Sequence, residues 1–293
     1  MQYTNNHKLP DAFVNFAKRD NYSKGAADIS VTTLIDSPRV RLMKEHYASN
    51  MTTDVVDMIW PLFGTAVHHI LEQDDGEDVV REERLFYSDG EWVLSGAIDH
   101  QRMNGNSIEI TDYKVTSVWS VIYGKPEWEN QLNTYAFLVQ KSKGIKVSRL
   151  QICAILRDWN RRDADNKPDY PQAPVVTVDV PLWSDQERIR YVHERLAYHK
   201  GAQITYDMEE ELEDKFILCT SEERWSKPDA WAVKKKGLKR AMRVFDNVND
   251  ANDFSAAQTV PTEIEYRAGE HTRCKGNYCG VAEFCSQYKG ELE

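Results

Sequence analysis

The chain contains Gly96-Ala97-Ile98-Asp99 and, after a turn, Glu109-Ile110-Thr111-Asp112-Tyr113-Lys114. Both segments have the character of β-strands, and each delivers a carboxylate. Alternate residues of a strand point to the same side, so Asp112 and Lys114 are predicted to project together while Tyr113 points away. A pair of carboxylates can hold a hard divalent cation, and an adjacent ammonium can position or activate a water. This stretch therefore predicts a site that hydrolyses phosphodiesters.

An ordinary salt bridge on an exposed sheet face is the alternative for these three charged residues. Ile108 and Ile110 share the predicted face of Asp112. That carboxylate would then end an apolar row at the edge of the core. Such a position favours a site over a surface ion pair.

Composition limits the classes of protein to consider. The 293 residues are 41% hydrophobic and 11% aromatic, which suits one large globular domain or a core with a smaller appendage and argues against disorder. The net charge of −10 argues against a general nucleic-acid coat protein. It does not exclude an enzyme with a local basic channel and metal ions.

The sequence shows neither a membrane span nor a secretion signal. No run approaches the roughly eighteen apolar residues of a membrane span, and the N-terminus lacks the apolar core of a signal peptide. We therefore expect a cytoplasmic protein with no membrane partner. A phage-encoded source stays open.

The pattern of apolar and turn residues predicts an α/β core with a central mixed β-sheet flanked by helices. We expect a flexible leader at 1–28, a core at 29–201, and a C-terminal cysteine-bearing extension at 202–293 that docks on the core. A helix capped by Ser or Thr should run through Leu34. The other predicted elements are helices at 59–73, 127–143 and 184–201, strands at 79–87, 92–103, 107–115, 146–156 and 175–180, and a loop at 158–171.

The predicted helix at 59–73 carries a histidine of interest. His68 and Glu72 are four residues apart and share one helix face. A lone helical histidine is usually a surface or packing residue. Its place just before the two-carboxylate strands favours a metal ligand here.

Four motifs occur in order along the chain, and together they resemble a known family. They are Gly64-Thr65-x-x-His68-x-x-x-Glu72, Gly96-x-x-Asp99, Asp112-x-Lys114 and Gln131-x-x-x-Tyr135. This set resembles the RecB-type branch of the PD-(D/E)XK nucleases, which includes AddB helicase-nuclease subunits, CRISPR adaptation nucleases and phage recombination exonucleases. The resemblance covers roughly residues 29–157 and implies a restriction-endonuclease-like core.

The resemblance also implies roles for the charged residues. His68, Asp99 and Asp112 would be metal ligands, and the backbone carbonyl of Tyr113 would be another. Lys114 would orient or deprotonate the attacking water. One or two Mg²⁺ or Mn²⁺ ions are expected, and the imidazole in the ligand set tilts the preference toward Mn²⁺.

Supporting residues follow from the same resemblance. Gln131 and Tyr135 would face the site one helical turn apart, with Gln131 supporting Lys114 or the scissile phosphate. Glu72 would be a supporting partner or a ligand of a second ion. Glu83, on the preceding strand, is a further candidate.

Three cysteines crowd the C-terminus as Cys274-x₄-Cys279-x₅-Cys285. Thiols this close in a chain without secretion signals favour metal over disulfide. The segment from Tyr278 to Cys285 resembles the iron–sulfur segment of AddB-like and CRISPR adaptation nucleases. A [4Fe–4S] cluster needs four thiolates, and Cys219 is the predicted fourth. Zinc, or no metal, remains an alternative.

A basic segment is a candidate for DNA binding. Its six basic residues are Lys234, Lys235, Lys236, Lys239, Arg240 and Arg243, and Trp225 and Trp231 lie upstream. Such a segment could neutralise phosphates and stack bases. A solvated helix with tryptophans packed on the core is the alternative. The predicted loop at 119–128 could also contact substrate.

These features predict a metal-dependent DNA nuclease, foremost an exonuclease on single-stranded DNA or DNA ends in recombination, repair or phage DNA metabolism. DNA is the expected partner, alongside a recombination or replication protein. A flap or branch endonuclease, and a non-catalytic DNA-binding module, are the alternatives.

Overall fold

The computed structural model describes residues 2–19, 25–73, 75–212 and 215–289. The chain forms two compact units: Met1–Pro38 with Tyr47–Ile204, and Arg39–His46 with Thr205–Glu293. Among helices of the described residues, none combines the length and the apolar composition that a membrane crossing requires.

The elements are as follows. The strands are β1 (Gln2–Thr4), β2 (Ile29–Ser30), β3 (Thr52–Asp54), β4 (Val79–Ser88), β5 (Val93–Asn104), β6 (Ser107–Thr116), β7 (Lys146–Leu156), β8 (Val175–Val180), β9 (Ser226–Lys227), β10 (Ala230–Lys235), β11 (Ala241–Phe245), β12 (Thr262–Arg267) and β13 (Glu270–His271). The α-helices are α1 (Asp11–Lys18), α2 (Val31–Leu34), α3 (Pro38–His46), α4 (Ile59–Leu71), α5 (Val118–Tyr123), α6 (Pro126–Lys143), α7 (Arg161–Asn166), α8 (Asp185–Met208), α9 (Val248–Ala256), α10 (Thr272–Lys275) and α11 (Ser286–Lys289). Short 3₁₀ turns occur at Val55–Met58 and Ala282–Phe284.

The larger unit is built on a mixed sheet in the order β2-β5-β6-β7-β8, with β4 also paired to β5. The β6–β7 and β2–β5 pairs are parallel, and the β4–β5, β5–β6 and β7–β8 pairs are antiparallel. Helix α6 packs against this sheet, and α4 lies against β6. The predicted mixed sheet flanked by helices is confirmed.

The core of this unit lies between the sheet and α6. Ile98, Ile110, Leu132, Leu138 and Ile152 are all fully buried there. Helix α6 begins with a proline at its first position and ends at Gly144, whose φ of 69° suits a left-handed helix end. Local sequence signals therefore fix both ends of the helix that covers the sheet.

Most predicted elements agree with the structure to within two residues. Helix α2 begins at the predicted cap, where the Ser30 side chain accepts a hydrogen bond from the Thr33 amide. The structure differs from the prediction in two segments that were expected to be loops and that contain the short helices α5 and α7. Helix α8 also runs seven residues past the predicted end at 201, to Met208.

The segment predicted to be a flexible leader contains regular structure. Strand β1 pairs in parallel with β3, with Gln2 opposite Thr52. Helix α1 follows over Asp11–Lys18. Residues 20–24 of the leader lie outside the described residues.

The smaller unit contains a sheet in the order β11-β10-β12. The basic segment forms the β10–β11 hairpin rather than the solvated helix considered from sequence. Its turn contains Gly237 at φ 82°.

Candidate active site

The candidate site lies where β5 and β6 separate. Their ladder ends at the His100–Thr111 pair. Beyond it, β2 pairs with β5 at Leu94 and Ser95. Because β4 occupies the opposite edge of β5 along most of its length, β2 and β6 must share one edge of that strand. A fork therefore opens beside Gly96-Ala97-Ile98-Asp99.

The Asp99 side chain lies in this fork, between β5 and β6. Continuing the register past His100 and Thr111 places Asp99 opposite Asp112. The Tyr113 amide donates a hydrogen bond to Asp99 Oδ2 at 2.8 Å, in place of a strand-to-strand bond. The two predicted carboxylates are thus buried at the same place, at 8% and 1% exposure.

Lys114 and Gln131 both contact Asp112. Lys114 Nζ lies 2.6 Å from Asp112 Oδ2. Gln131 Nε2 donates to Asp112 Oδ1 at 3.3 Å and to the Tyr135 hydroxyl at 2.8 Å. The structure therefore brings four predicted residues together in one chain of contacts. Gln131 contacts the carboxylate rather than Lys114.

His68 reaches the site from α4. Its Nδ1 lies 3.5 Å from Asp99 Oδ2 and 3.3 Å from Glu82 Oε1. The ligand atoms of His68, Glu82 and Asp99 all lie within 4.8 Å of one another. Among the described residues, this is the group of three His, Cys, Asp or Glu side chains that is close enough to hold a metal ion. The neighbouring His69 is not part of this group, and its side chain is 71% exposed.

Glu82 is a site residue that sequence reasoning missed. It lies in β4 with φ 46°, which a side-chain-bearing residue rarely adopts. The neighbouring candidate, Glu83, pairs instead with Lys143 and accepts a hydrogen bond from Gln101 Nε2. Both glutamates stand in the sequence just before the carboxylate strands, and the sequence holds no signal that separates them.

Glu72 does not join the group. Helix α4 ends at Leu71, and Glu72 Oε1 lies 2.6 Å from His69 Nδ1. The backbone is still helical at Glu72, whose amide donates to the His68 carbonyl at 2.8 Å, but the Glu72 side chain contacts His69 instead of the site. The Tyr113 backbone carbonyl remains a sequence-based prediction.

Burial and like charge dominate the electrostatics of Asp99. Desolvation, reinforced by the charge of Asp112, raises the pKa of Asp99 to about 7, against the opposing influence of His68 and Lys114. The hydrogen bond with Glu82 and the charge of Asp99 raise the pKa of His68 despite burial. The site therefore has more negative charge than its own lysine balances.

For Lys114, the neighbouring charges outweigh the effect of burial on the pKa. Burial alone would lower its pKa, but the charges of Asp112 and Asp99 and the hydrogen bond to Asp112 outweigh it. The net effect is a raised pKa. Lys114 is accordingly a cation in this arrangement.

The cysteine segment lies in the smaller unit. Cys274, Cys279 and Cys285 are close enough that the first and last raise the pKa of Cys279, after burial as the larger cause. Cys219 is joined to the same region through Gln287, which bonds both its amide and its carbonyl. All five cysteines are free thiols, and no set of them meets the 4.8 Å spacing described for His68.

Cys285 has a charged neighbour in the same unit. It is buried, and Arg39 Nε donates to its Sγ at 3.4 Å. The same guanidinium donates to the carbonyls of Phe216 and Ile217. A buried cation thus holds the cysteine segment against the start of the extension.

Some side chains of the basic segment already have partners within the protein and are less able to bind phosphate. Lys234 is ion-paired with Glu265 at 2.5 Å and with Glu263 at 3.5 Å. The Arg243 guanidinium lies 4.9 Å from the Phe245 ring centre. Lys235, Lys236, Lys239 and Arg240 belong to the hairpin and its turn.

Comparisons with known proteins add little. No family model matches the sequence, and no curated protein matches it. Solved structures do match, among them one described as "Crystal structure of SSO0001", at 12% identity, covering 64% of this chain and 82% of that chain with a TM-score of 0.41. A TM-score this low supports no conclusion about fold or function.

Proposed function

We propose that this chain is a metal-dependent DNA nuclease of the RecB-type PD-(D/E)XK branch, with a restriction-endonuclease-like core. The observation that carries the proposal is the Lys114–Asp112 pair at 2.6 Å, beside Asp99 and His68 in the β5–β6 fork. A surface salt bridge does not fit, because Asp112 is 1% exposed. Buried ion pairs are costly, so their presence in a polar fork favours a site.

The donor set fits a divalent cation. Asp99, Glu82 and His68 offer oxygen and nitrogen ligands of the kind that Mg²⁺ and Mn²⁺ take. Asp112, the other predicted aspartate ligand, lies outside this group of three. Burial is the main cause of the raised pKa of Asp99, and the charge of Asp112 adds to it; a bound cation would stabilise the charged carboxylate against both. A bound ion would act as a Lewis acid toward the scissile phosphate and the attacking water.

Lys114 would position the nucleophile. Its ammonium lies at the mouth of the fork, with a side chain 29% exposed, so it can reach both Asp112 and an incoming phosphate. Neutralising Asp112 would remove the main charge that raises the pKa of Lys114. Lys114 would then give up its proton more readily, as a general base must.

Gln131 and Tyr135 would hold Asp112 in place. Both belong to the buried face of α6, and the Tyr135 hydroxyl fixes the amide that bonds the carboxylate. Such supporting hydrogen bonds set the direction of ligand lone pairs. These two residues would orient the site without touching the substrate.

We propose further that Cys219, Cys274, Cys279 and Cys285 hold a [4Fe–4S] cluster, with zinc as the alternative. The grouping of Cys274 and Cys285 around Cys279, and the hydrogen bonds of Gln287 to the Cys219 backbone, support this. The role would be structural, fixing the C-terminal segment within its unit.

A cleavage assay tests the nuclease directly. Linear end-labelled and circular single-stranded DNA would be incubated with the protein and Mn²⁺, Mg²⁺ or a chelator. Loss of linear but not circular DNA, only with metal, is expected of an exonuclease. Cutting of circles would indicate an endonuclease, and tight binding without cutting in any metal would contradict the nuclease.

A further inference from the structure

Large aromatic side chains stand exposed on the same unit as the candidate active site. Trp60 is 47% exposed, Trp119 55% and Tyr123 79%. Phe63 lies beside Trp60, with ring centres 5.9 Å apart. We call these four residues with Arg157 the aromatic surface. Exposed rings in such a cluster mark a binding surface more often than a chance arrangement.

Backbone contacts connect this surface to the fork. The Arg157 guanidinium lies 4.4 Å from the Trp60 ring centre, and the Arg157 amide donates to the Thr116 carbonyl at 2.9 Å. Thr116 ends β6 only two residues after Lys114, a rise of about 7 Å. Trp60 and His68 are carried by the same helix, α4. Trp60 is thus joined through Arg157 to the strand that carries Lys114, and it belongs to the helix that carries His68.

A cavity extends the surface on the far side of Trp119. Its volume is about 400 Å³, which lies within the usual range of small-molecule pockets. Trp119 and Ile122 line one side, and residues 166–170 line the other. The Trp119 and Tyr123 rings are themselves stacked, 5.8 Å apart and 13° from parallel. The stacked rings form a flat platform beside this cavity.

Three arginines next to the platform offer contacts to phosphate. Arg157, Arg161 and Arg162 are all exposed at the end of β7 and the start of α7. Two acids in this stretch are engaged locally: Asp158 accepts from the Val118 amide at 2.7 Å, and Asp163 pairs with Lys167 at 2.8 Å. Asp165 and Asp169 are exposed as well, so the attraction for an anion comes from the individual guanidinium groups and not from a net positive charge of the stretch.

We propose that the aromatic surface binds unpaired nucleotides of single-stranded DNA as they approach the carboxylate site. The bases stack on Trp60 and Trp119, and the arginines contact the phosphates. Aromatic platforms with cationic edges suit single strands because every base has a stacking face, whereas a blunt duplex keeps its bases inside. This inference rests on the proposed nuclease and assigns its substrate form and its entry path.

Binding without hydrolysis tests it. Anisotropy of a labelled oligothymidylate would be measured with full-length Lys114→Ala protein and no added divalent cation. Trp60→Ala and Trp119→Ala are each added to the Lys114→Ala protein. Each double variant should bind the oligothymidylate at least about fivefold more weakly than Lys114→Ala alone. Trp60→Phe and Trp119→Phe keep a stacking ring and should bind near the parent level. Phe86→Ala, an exposed ring on β4 of the same unit, is the matched control and should not change affinity.

A second readout addresses the phosphate contact. Arg157→Gln should reduce the slope of log affinity against log salt by about 1. Parent-level affinity in both alanine variants, phenylalanine variants as weak as alanine, or an equal loss on blunt duplex would overturn the proposal. Absence of cleavage by the wild type would contradict the nuclease alone, because this binding measurement involves no hydrolysis.

Discussion

A Cβ atom placed on Gly96 would lie 2.8 Å from Cε1 of Tyr135. It would also lie 2.8 Å from Val31 and 2.9 Å from Leu138. Helix α6 therefore reaches β5 only because residue 96 has no side chain. That close approach places the Tyr135 hydroxyl where it meets Gln131, which in turn bonds Asp112.

Substitution of Gly96 should loosen this packing. Gly96→Ala is expected to lower the free energy of unfolding by about 1–3 kcal/mol, because the added methyl overpacks a rigid contact. Urea denaturation measures the change. Gly64→Ala is the control, since nothing lies within 4 Å of its Cβ position, and it should be neutral or stabilising by up to about 1 kcal/mol. Equal effects of the two substitutions would contradict the close approach.

Metal affinity should depend on Glu82 and not on its neighbour. Glu82→Gln removes a charged oxygen 3.3 Å from His68 Nδ1, and we expect Mn²⁺ affinity to fall at least about tenfold. Glu83→Gln removes the partner of Lys143 and should leave Mn²⁺ affinity unchanged. Titration calorimetry distinguishes the two. A larger loss from Glu83→Gln would mean that the β4 register assigned to the site is wrong.

Stability should respond to pH through Asp99. Its pKa is about 7 in the folded chain against an ordinary value of 3.8. A raised folded pKa means that the folded state binds more protons across that window. The stability that Asp99 contributes without metal is therefore fully present below about pH 4 and lost as pH rises through about 7.

A divalent cation competes with that proton, so its stabilising effect should have the opposite trend. The shift in thermal midpoint on adding Mn²⁺ should be larger at about pH 8 than at about pH 5. Asp99→Asn, which does not titrate, should flatten this dependence. A shift of equal size at both pH values in the wild type would disagree with the buried, charge-crowded Asp99.

The cysteine proposal is open to direct metal analysis. Protein purified without oxygen should contain iron and inorganic sulfide and absorb visible light. Cys279→Ser should lose the metal, because Cys279 is the member whose pKa both neighbours influence. Cys153→Ser, in β7 of the larger unit, should retain it. Zinc in place of iron would support the alternative, and full metal content in Cys279→Ser would reject the assignment.

Local patterns predicted most of the strands and long helices, and they missed two short helices, α5 and α7. The strands and α6 follow from apolar spacing and turn residues, which act over a few positions. Helices α5 and α7 are short, but their caps were visible: Ser117 accepts from the Trp119 amide and Asn160 from the Asp163 amide.

Some residues of the candidate site could be predicted from the sequence, and others could not. Asp99, Asp112, Lys114 and His68 could be proposed because motif order is a property of the sequence. The place of Glu82 depends on a positive φ within β4, and the absence of Glu72 depends on the contact of its side chain with His69. Neither feature can be read from residue spacing.

The most direct test concerns Lys114. Lys114→Ala is compared with Lys200→Ala, a lysine that also pairs with two carboxylates, Asp89 and Glu91, at 2.7 Å each. With Mn²⁺ and end-labelled single-stranded DNA, Lys114→Ala should cleave at least about 100-fold more slowly than the wild type, while Lys200→Ala should match it. Full activity of a folded Lys114→Ala protein would contradict the assignment of this fork as the active site.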